Sequence, residues 1–321
     1  MKVTPFASLA RLLPLTTAIA LASIALPAQA YDDECKPPKT SYSSVGCTDA
    51  KGIFIADGKD YNPVAIINAQ GKTIANLKGY ENIDRWNMAS GVFAVQKNGK
   101  VGYMTTQGKL VVPTIYDEIG DPGNKYSETW ANPVSDGRIV VRKNNKYAVI
   151  DTANKVILPF NNKYAMIDSF SEGMAPVRNS NHKWGLINKD GKEVVAPQYD
   201  ALNGNFSGNY GFSEGLLGVA KNEKWGYITK TGTVAVPLSY DEIRPFSEGL
   251  AGVLKKGKWG FIDGANKTVI PFQFADKNVG RYSSNYMAAD HFNFYDGKAI
   301  IGSQNGEYVC INKAAKKVAC D

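Results

Sequence analysis

One phrase recurs along this chain and restricts its fold more than any other feature. Phe170-Ser-Glu-Gly173 leads to Lys183-Trp184-Gly185 and Pro197. Phe212-Ser-Glu-Gly215 leads to Lys224-Trp225-Gly226 and Pro237, and Phe246-Ser-Glu-Gly249 to Lys258-Trp259-Gly260 and Pro271. The three tryptophans stand 41 and 34 residues apart. Weaker copies surround them at Val64–Asn68, Lys100–Thr105, Lys146–Asp151 and Glu307–Asn312, which makes seven units in all. Self-similarity at such a period marks a supersecondary unit that buries its apolar face only by stacking on copies of itself.

The units read as β-structure. Leu250–Leu254 and Trp259–Ile262 are short β-prone runs joined by Lys-Lys-Gly-Lys, and the same link in the second unit is Lys97-Asn98-Gly99-Lys100. Asn-Gly accepts positive φ at both central positions of a two-residue hairpin. A second turn follows at Asn188–Gly191. A third strand then meets a proline, which has no N–H for the ladder and is expected to stop pairing there. Each unit is therefore expected to be a three-strand meander plus a variable linker. Gly185, Gly226 and Gly260 are expected to lie under an aromatic ring from a neighbouring strand, with Phe170, Phe212 and Phe246 as the rings. Trp184, Trp225 and Trp259 are expected in the core. So is Trp86, because Tyr80-Glu-Asn-Ile83 precedes it as Tyr240-Asp-Glu-Ile243 precedes Phe246.

With these residues the chain resembles the bacterial WG (or KWG) repeat proteins, specifically over Phe170–Pro271 and more loosely over the rest beyond residue 30. The resemblance implies an all-β tandem array that commonly serves as a binding module, and it brings no catalytic residues. An open solenoid of about seven meanders with capped ends is expected over a closed, propeller-like ring.

The first thirty residues read as an address. Lys2 and Arg11 precede an apolar stretch, Leu12–Leu26, and small residues at Ala28 and Ala30 complete the layout of a secretory signal peptide cleaved after Ala30. Pro14, Thr16 and Thr17 make the stretch a poor membrane anchor, and no later run is long and apolar enough to span a bilayer. A periplasmic or secreted location follows. In that setting Cys35 and Cys47, then Cys310 and Cys320, read as two disulfides with three possible connectivities, local pairing being favoured. The expected organisation is a signal peptide (1–30), an N-terminal cap (31–52), the β array (53–276), and an aromatic insertion with a capping repeat (277–321).

Little in the chain points to catalysis. Only two histidines occur, His182 and His291, and the G-x-S-x-G, H-E-x-x-H, P-loop and S-x-x-K signatures are absent. Glu172, Glu214 and Glu248, and the acids after tyrosine at Asp117, Asp200 and Asp241, recur with the scaffold. One active site needs a single constellation, so these read as turn chemistry. No enzyme, cofactor or metal site is expected. The net charge of +7 is modest, and nucleic acid is not expected as the partner of an exported protein.

Two features remain for binding. Lysines recur at the first hairpin turn, from Lys97 and Lys100 to Lys255, Lys256 and Lys258, and stacking would align them as a basic ridge. Such a ridge either steers an acidic partner or merely solubilises exposed turns. Three insertions lengthen the linkers: Asp121–Pro133 with Tyr126 and Trp130, Asn203–Tyr210 with Phe206, and Asn278–Tyr295 with Arg281, Tyr282, Tyr286 and His291. Aromatics set among Gly, Asn and Ser are the composition of binding loops, and equally of clusters that fill gaps between units. The expected function is an exported, non-enzymatic protein that engages another protein, for instance as an inhibitor or immunity protein for a toxic enzyme. The alternative is binding to cell-wall glycan or peptidoglycan.

Overall fold

A computed structural model describes residues 35–59, 61–119, 130–203, 211–275, 291–304 and 307–320. The chain divides into Met1–Lys36 and Pro37–Asp321, and every strand lies in the second unit. The described residues form seven antiparallel sheets in chain order and contain no helix.

Sheet 1 runs β1 (Ser44–Cys47), β2 (Ile53–Asp57), β3 (Pro63–Asn68), β4 (Thr73–Asn76), and sheet 2 runs β5 (Asn82–Ile83), β6 (Val92–Lys97), β7 (Lys100–Thr105), β8 (Leu110–Tyr116). Sheet 3 has β9 (Arg138–Lys143), β10 (Lys146–Asp151) and β11 (Val156–Asn161). Sheet 4 follows with β12 (Met166–Ile167), β13 (Met174–Arg178), β14 (Trp184–Asn188) and β15 (Glu193–Tyr199). Sheet 5 comprises β16 (Ala201–Leu202), β17 (Leu216–Lys221), β18 (Lys224–Thr229) and β19 (Val234–Tyr240). Sheet 6 comprises β20 (Glu242–Ile243), β21 (Leu250–Lys255), β22 (Lys258–Asp263) and β23 (Thr268–Ala275), and sheet 7 β24 (Phe294–Tyr295), β25 (Lys298–Gln304), β26 (Glu307–Asn312) and β27 (Lys317–Val318).

The expected three-strand unit is thus one strand short. The Tyr-Asp-Glu-Ile segment, read as linker, supplies a brief first strand: Glu242 and Ile243 pair with Leu254 and Val253. In sheet 3 a single bridge, Asp117 to Arg142, stands in its place.

The turns match their sequence signals. Asn98 and Gly99, Asn144 and Asn145, Asn222 and Glu223, and Lys256 and Gly257 all have φ between +51° and +73°, the geometry of a type I′ hairpin. Ser-Glu-Gly is a second hairpin of the same kind. Glu248 (φ 52°) and Gly249 (φ 81°) form its centre, closed by Ser247 and Leu250 exchanging backbone hydrogen bonds. The third turn is held by an Asn or Asp side chain: Asn188 Oδ1 accepts from Asp190 N and Lys192 N, and Asp263 Oδ1 from Ala265 N and Lys267 N.

Two expectations about the third strand are corrected. The proline does not end pairing. In β15 the ladder passes from Val195 opposite Leu186 to Tyr199 opposite Trp184, with Pro197 in the bulge between them, and β19 and β23 repeat the pattern. The bulge also explains the glycine beside each tryptophan. A methyl group on Gly260 would lie 2.8 Å from Ile270 O, and on Gly102 2.6 Å from Val112 O, while at Gly185 and Gly226 the Val195 and Val236 carbonyls press closer still. What lies over these glycines is the bulged backbone of their own sheet, joined at Gly260 by the Phe272 ring, whose Cδ1 would be 3.1 Å from an added methyl; Phe170, Phe212 and Phe246 are not the rings.

The rings pack elsewhere. Trp184 and Phe212 share the core between sheets 4 and 5, Trp225 and Phe246 that between sheets 5 and 6, and Trp259 and Phe294 that between sheets 6 and 7. Each tryptophan faces the following sheet and each phenylalanine the preceding one. Inner strands are consequently buried on both faces, as Leu250–Leu254 shows. Six clusters of this kind join consecutive sheets. Among the described residues, no strand pair and no core cluster joins the first sheet to the seventh.

Trp86 is not core: it is 65% exposed. The loop from Ile83 to Val92 is two residues longer than that from Ile243 to Leu250, and counted from its far end Met88, fully buried, takes the place of Phe246. Cys310 and Cys320 are joined, with Cα atoms 5.3 Å apart, and Cys35 and Cys47 are also disulfide-bonded. The C-terminal sulfurs pair locally as expected, which excludes a bridge from Cys320 to the N-terminal cysteines.

Candidate functional site

In sheets 2, 3, 5 and 6 the type I′ hairpin brings two lysines face to face in register. Lys97 lies opposite Lys100, Lys143 opposite Lys146, Lys221 opposite Lys224, and Lys255 opposite Lys258. Like charges directly across a ladder destabilise it, so each pair has a cost of a few tenths to about 1 kcal/mol.

The Tyr-Asp dipeptide between sheets relieves part of that cost. Asp241 Oδ1 accepts from Lys224 Nζ at 2.6 Å while its Oδ2 accepts from Lys256 N at 2.8 Å, so one carboxylate ties the hairpins of sheets 5 and 6. Asp117 does the same for Lys100 (2.7 Å) and Asn144 N (2.7 Å), and Asp200 for Lys183 and Asn222 N. The lysine hydrogen bond is the main reason that all three carboxyl groups are held below the usual carboxylate range. The tyrosine contributes too. Lys255 Nζ sits 5.6 Å from the Tyr240 ring centre, and Tyr240 Oη donates to Asn266 Oδ1 at 2.7 Å.

Relief is incomplete. Among the described residues Lys143, Lys146, Lys255 and Lys258 make no ion pair. The aligned lysines therefore form a basic edge, smaller than the count of hairpin lysines implies.

The opposite end carries the Ser-Glu-Gly hairpins, and these interlock. Asp136 accepts from Gly173 N (2.6 Å), Glu214 from Gly249 N (3.0 Å) and Glu248 from Gly297 N (3.1 Å), each acid reaching the same turn of the next sheet. Ser213 Oγ and Ser247 Oγ donate to Phe246 O and Phe294 O, both at 2.6 Å. Burial pushes the Glu248 carboxyl up, but the Gly297 N–H and Lys313 outweigh it and hold it below the usual range. The repeated acids are thus joints between units, a role that single-unit turn chemistry did not reveal.

The residues expected to bind are dispersed. Trp130 is half-buried against the core between sheets 2 and 3, and its carbonyl accepts from Ile119 N at 3.1 Å. His291 is buried, meets the Tyr308 ring edge-on at 5.7 Å, and its carbonyl accepts from Arg244 Nε at 3.1 Å. Arg244 in turn lies 4.5 Å over the Trp259 ring. Tyr126, Phe206, Tyr210, Arg281, Tyr282 and Tyr286 lie outside the described residues. Sheet 7 carries a shallow cavity of about 440 Å³ lined by Asn293, Tyr295, Asp296, Lys298, Ile300 and the Cys310–Cys320 disulfide. Among the described residues, no group of three or more His, Cys, Asp or Glu is placed to hold a metal ion, and no helix is long and apolar enough to cross a membrane.

Comparison with known proteins begins with the repeats. The model for the WG containing repeat matches at residues 66–100, 102–129, 125–147, 148–181, 184–225, 225–259 and 259–289. The matched repeat is out of phase with the sheets: residues 225–259 run from β18 of sheet 5 to the start of β22 in sheet 6. No curated protein matches the sequence. Among solved structures, the chain is similar to a eukaryotic initiation factor at 12% identity and a TM-score of 0.51, over 89% of this chain and 78% of that one. It is also similar to BamB from Moraxella catarrhalis at 10% identity and a TM-score of 0.40, over 86% of each chain. At 12% identity the likeness to the initiation factor is one of fold. Seven matches spanning residues 66–289 place the chain in the WG containing repeat family.

Proposed function

We propose that this is a non-enzymatic binding protein whose hairpin edge docks an acidic surface on another protein. What carries the reading is the uncompensated lysine pairs at Lys143/Lys146 and Lys255/Lys258. A scaffold able to pair Lys100, Lys183 and Lys224 with an aspartate leaves these four lysines without an ion pair among the described residues, Lys255 resting only on the Tyr240 ring, at a cost to its own stability. Aligned positive charge accelerates encounter with an acidic partner and sets its register. Type I′ turns on buried sheets hold the lysine backbones rigid, which lowers the entropy lost on docking. The disulfides are compatible with export, and the signal-like N-terminus supports the reading of an oxidising, extracytoplasmic compartment. An inhibitor or immunity protein that covers a toxic enzyme there fits a rigid scaffold with one charged edge.

The test is capture of envelope and secreted proteins on the immobilised chain, alongside a K143E/K146E/K255E/K258E variant. The expected result is one stoichiometric acidic protein, retained less as ionic strength rises and lost with the variant. An empty capture, or equal capture by both forms, would end this reading.

A further inference from the structure

Trp86 is the one tryptophan of the chain that stands exposed, and its loop is built to hold it there. The two extra residues of unit 2 carry it out of the core and place it at the end of sheet 2 opposite the lysine hairpins, since β6 runs from Val92 beside this loop to Lys97 at the hairpin. The loop is braced at each step. Arg85, just before the indole, forms a two-pronged ion pair with the buried Asp57, with Nη1 2.9 Å from Oδ2. Asp84 accepts from the Trp86 backbone N–H at 3.3 Å and from Asn87 Nδ2 at 2.8 Å. Beyond it, Asp49 accepts from Met88 N (2.7 Å) and Ala89 N (3.0 Å), and the Met88 side chain is fully buried. An exposed indole on so fixed a backbone is presented for contact at little ordering cost.

The rim of the indole indicates what it contacts. Trp86 is the one large hydrophobic side chain exposed on its own loop, whose neighbours are the half-buried Asp84 and Asn87 and the exposed Ala89 and Ser90. A protein anchor works within a contiguous surround that excludes water. A single indole on an otherwise polar loop suits a flat ligand with one apolar and one hydroxylated aspect. Pyranose rings have this character. Their axial C–H bonds are polarised toward positive and meet the electron-rich indole face, while their hydroxyls suit the polar side chains of the same loop.

From this placement we infer that Trp86 is a stacking platform for a pyranose glycan, a site separate from the basic hairpin edge. The protein then has two opposed contact ends, one for an acidic protein and one for a saccharide polymer.

The test uses the purified full chain, chitotetraose and solubilised peptidoglycan as probes, with calorimetry and tryptophan fluorescence as readouts. Native protein is expected to bind at least one probe with a fluorescence change. Trp86→Ala weakens binding by about tenfold or more, the scale of one aromatic contact, whereas Trp86→Phe, which keeps a ring, stays within about threefold of native. Because Trp86 is exposed, the thermal midpoint of both variants should match native, which separates lost binding from lost folding. Absence of binding to either glycan, or equal binding by native and Trp86→Ala, overturns the inference. The K143E/K146E/K255E/K258E variant is expected to bind the glycan as native does, so failure of the hairpin edge and failure of Trp86 are read independently.

Discussion

At the scale of single residues, the glycine of each Lys-Trp-Gly phrase is the least replaceable position. Its side of the strand faces a carbonyl in the bulge opposite, and a rigid backbone cannot move away as a side chain could. Gly226→Ala is expected to cost about 2–4 kcal/mol in denaturant unfolding. Gly264, whose added methyl would meet only Leu216 Cδ1 at 3.8 Å, should accept alanine within about 0.5 kcal/mol. Equal losses at the two sites would mean that the bulge relaxes. The aspartates of the hairpin edge make a second residue-scale prediction. Asp117, Asp200 and Asp241 have carboxyl groups depressed by their lysine hydrogen bonds. Their contribution is fully present above the unfolded-state value of about 3.9 and is lost as pH falls through the lower folded-state values. The thermal midpoint is therefore expected to hold above about pH 5 and fall below about pH 4. A D117N/D200N/D241N variant should start lower and fall less steeply. The two tryptophan assignments show what was legible here: Trp259 follows from its place in the repeat, whereas Trp86 misleads because the alignment holds before the loop and slips within it.

Among the elements, the four-stranded sheet is a product of two neighbouring repeats. The Ser-Glu-Gly hairpin recurs because its glutamate reaches the glycine N–H of the next such turn, so the phrase encodes a joint as well as a turn. Gly249 and Gly297 sit in solvent-facing hairpins, yet their amides are bonded to Glu214 and Glu248. Both amides should exchange slowly with solvent in the native protein, and E214A and E248A should each release one of them selectively. Fast exchange of both in the unaltered chain would show that the joint does not persist in solution. The hairpins, the Asx-held turns and the β-prone runs were readable because each is set within four or five residues. The short first strand was not, because Glu242 and Ile243 acquire strand geometry only by pairing with Leu254 and Val253, eleven or so residues away along the chain.

Across the whole molecule, the described residues distribute stability over six inter-sheet cores, each made by consecutive sheets. Such an array behaves as a sum of neighbour terms, and damage at one end stays near that end. Removing the Cys310–Cys320 disulfide by a C310S/C320S change releases a loop of 10 residues and is expected to cost about 3 kcal/mol in the chain-entropy model. Hydrogen exchange should rise in β25–β27 while sheets 1–5 keep their protection. A uniform rise across all sheets would show tighter coupling than the separate cores imply. The all-β class, the repeat and the Asn-Gly and Asx turns follow from the residues alone, because turn chemistry and hydrophobic period act over a few residues; for the cysteines the residues favour local pairing among three connectivities. Which lysines find an aspartate, that the repeated acids join neighbouring sheets, and that Trp86 stands exposed while Trp130 and His291 turn inward are set by the packing of one sheet on the next. Those outcomes depend on groups some 15 to 50 residues apart meeting at a junction, and no local pattern carries that distance.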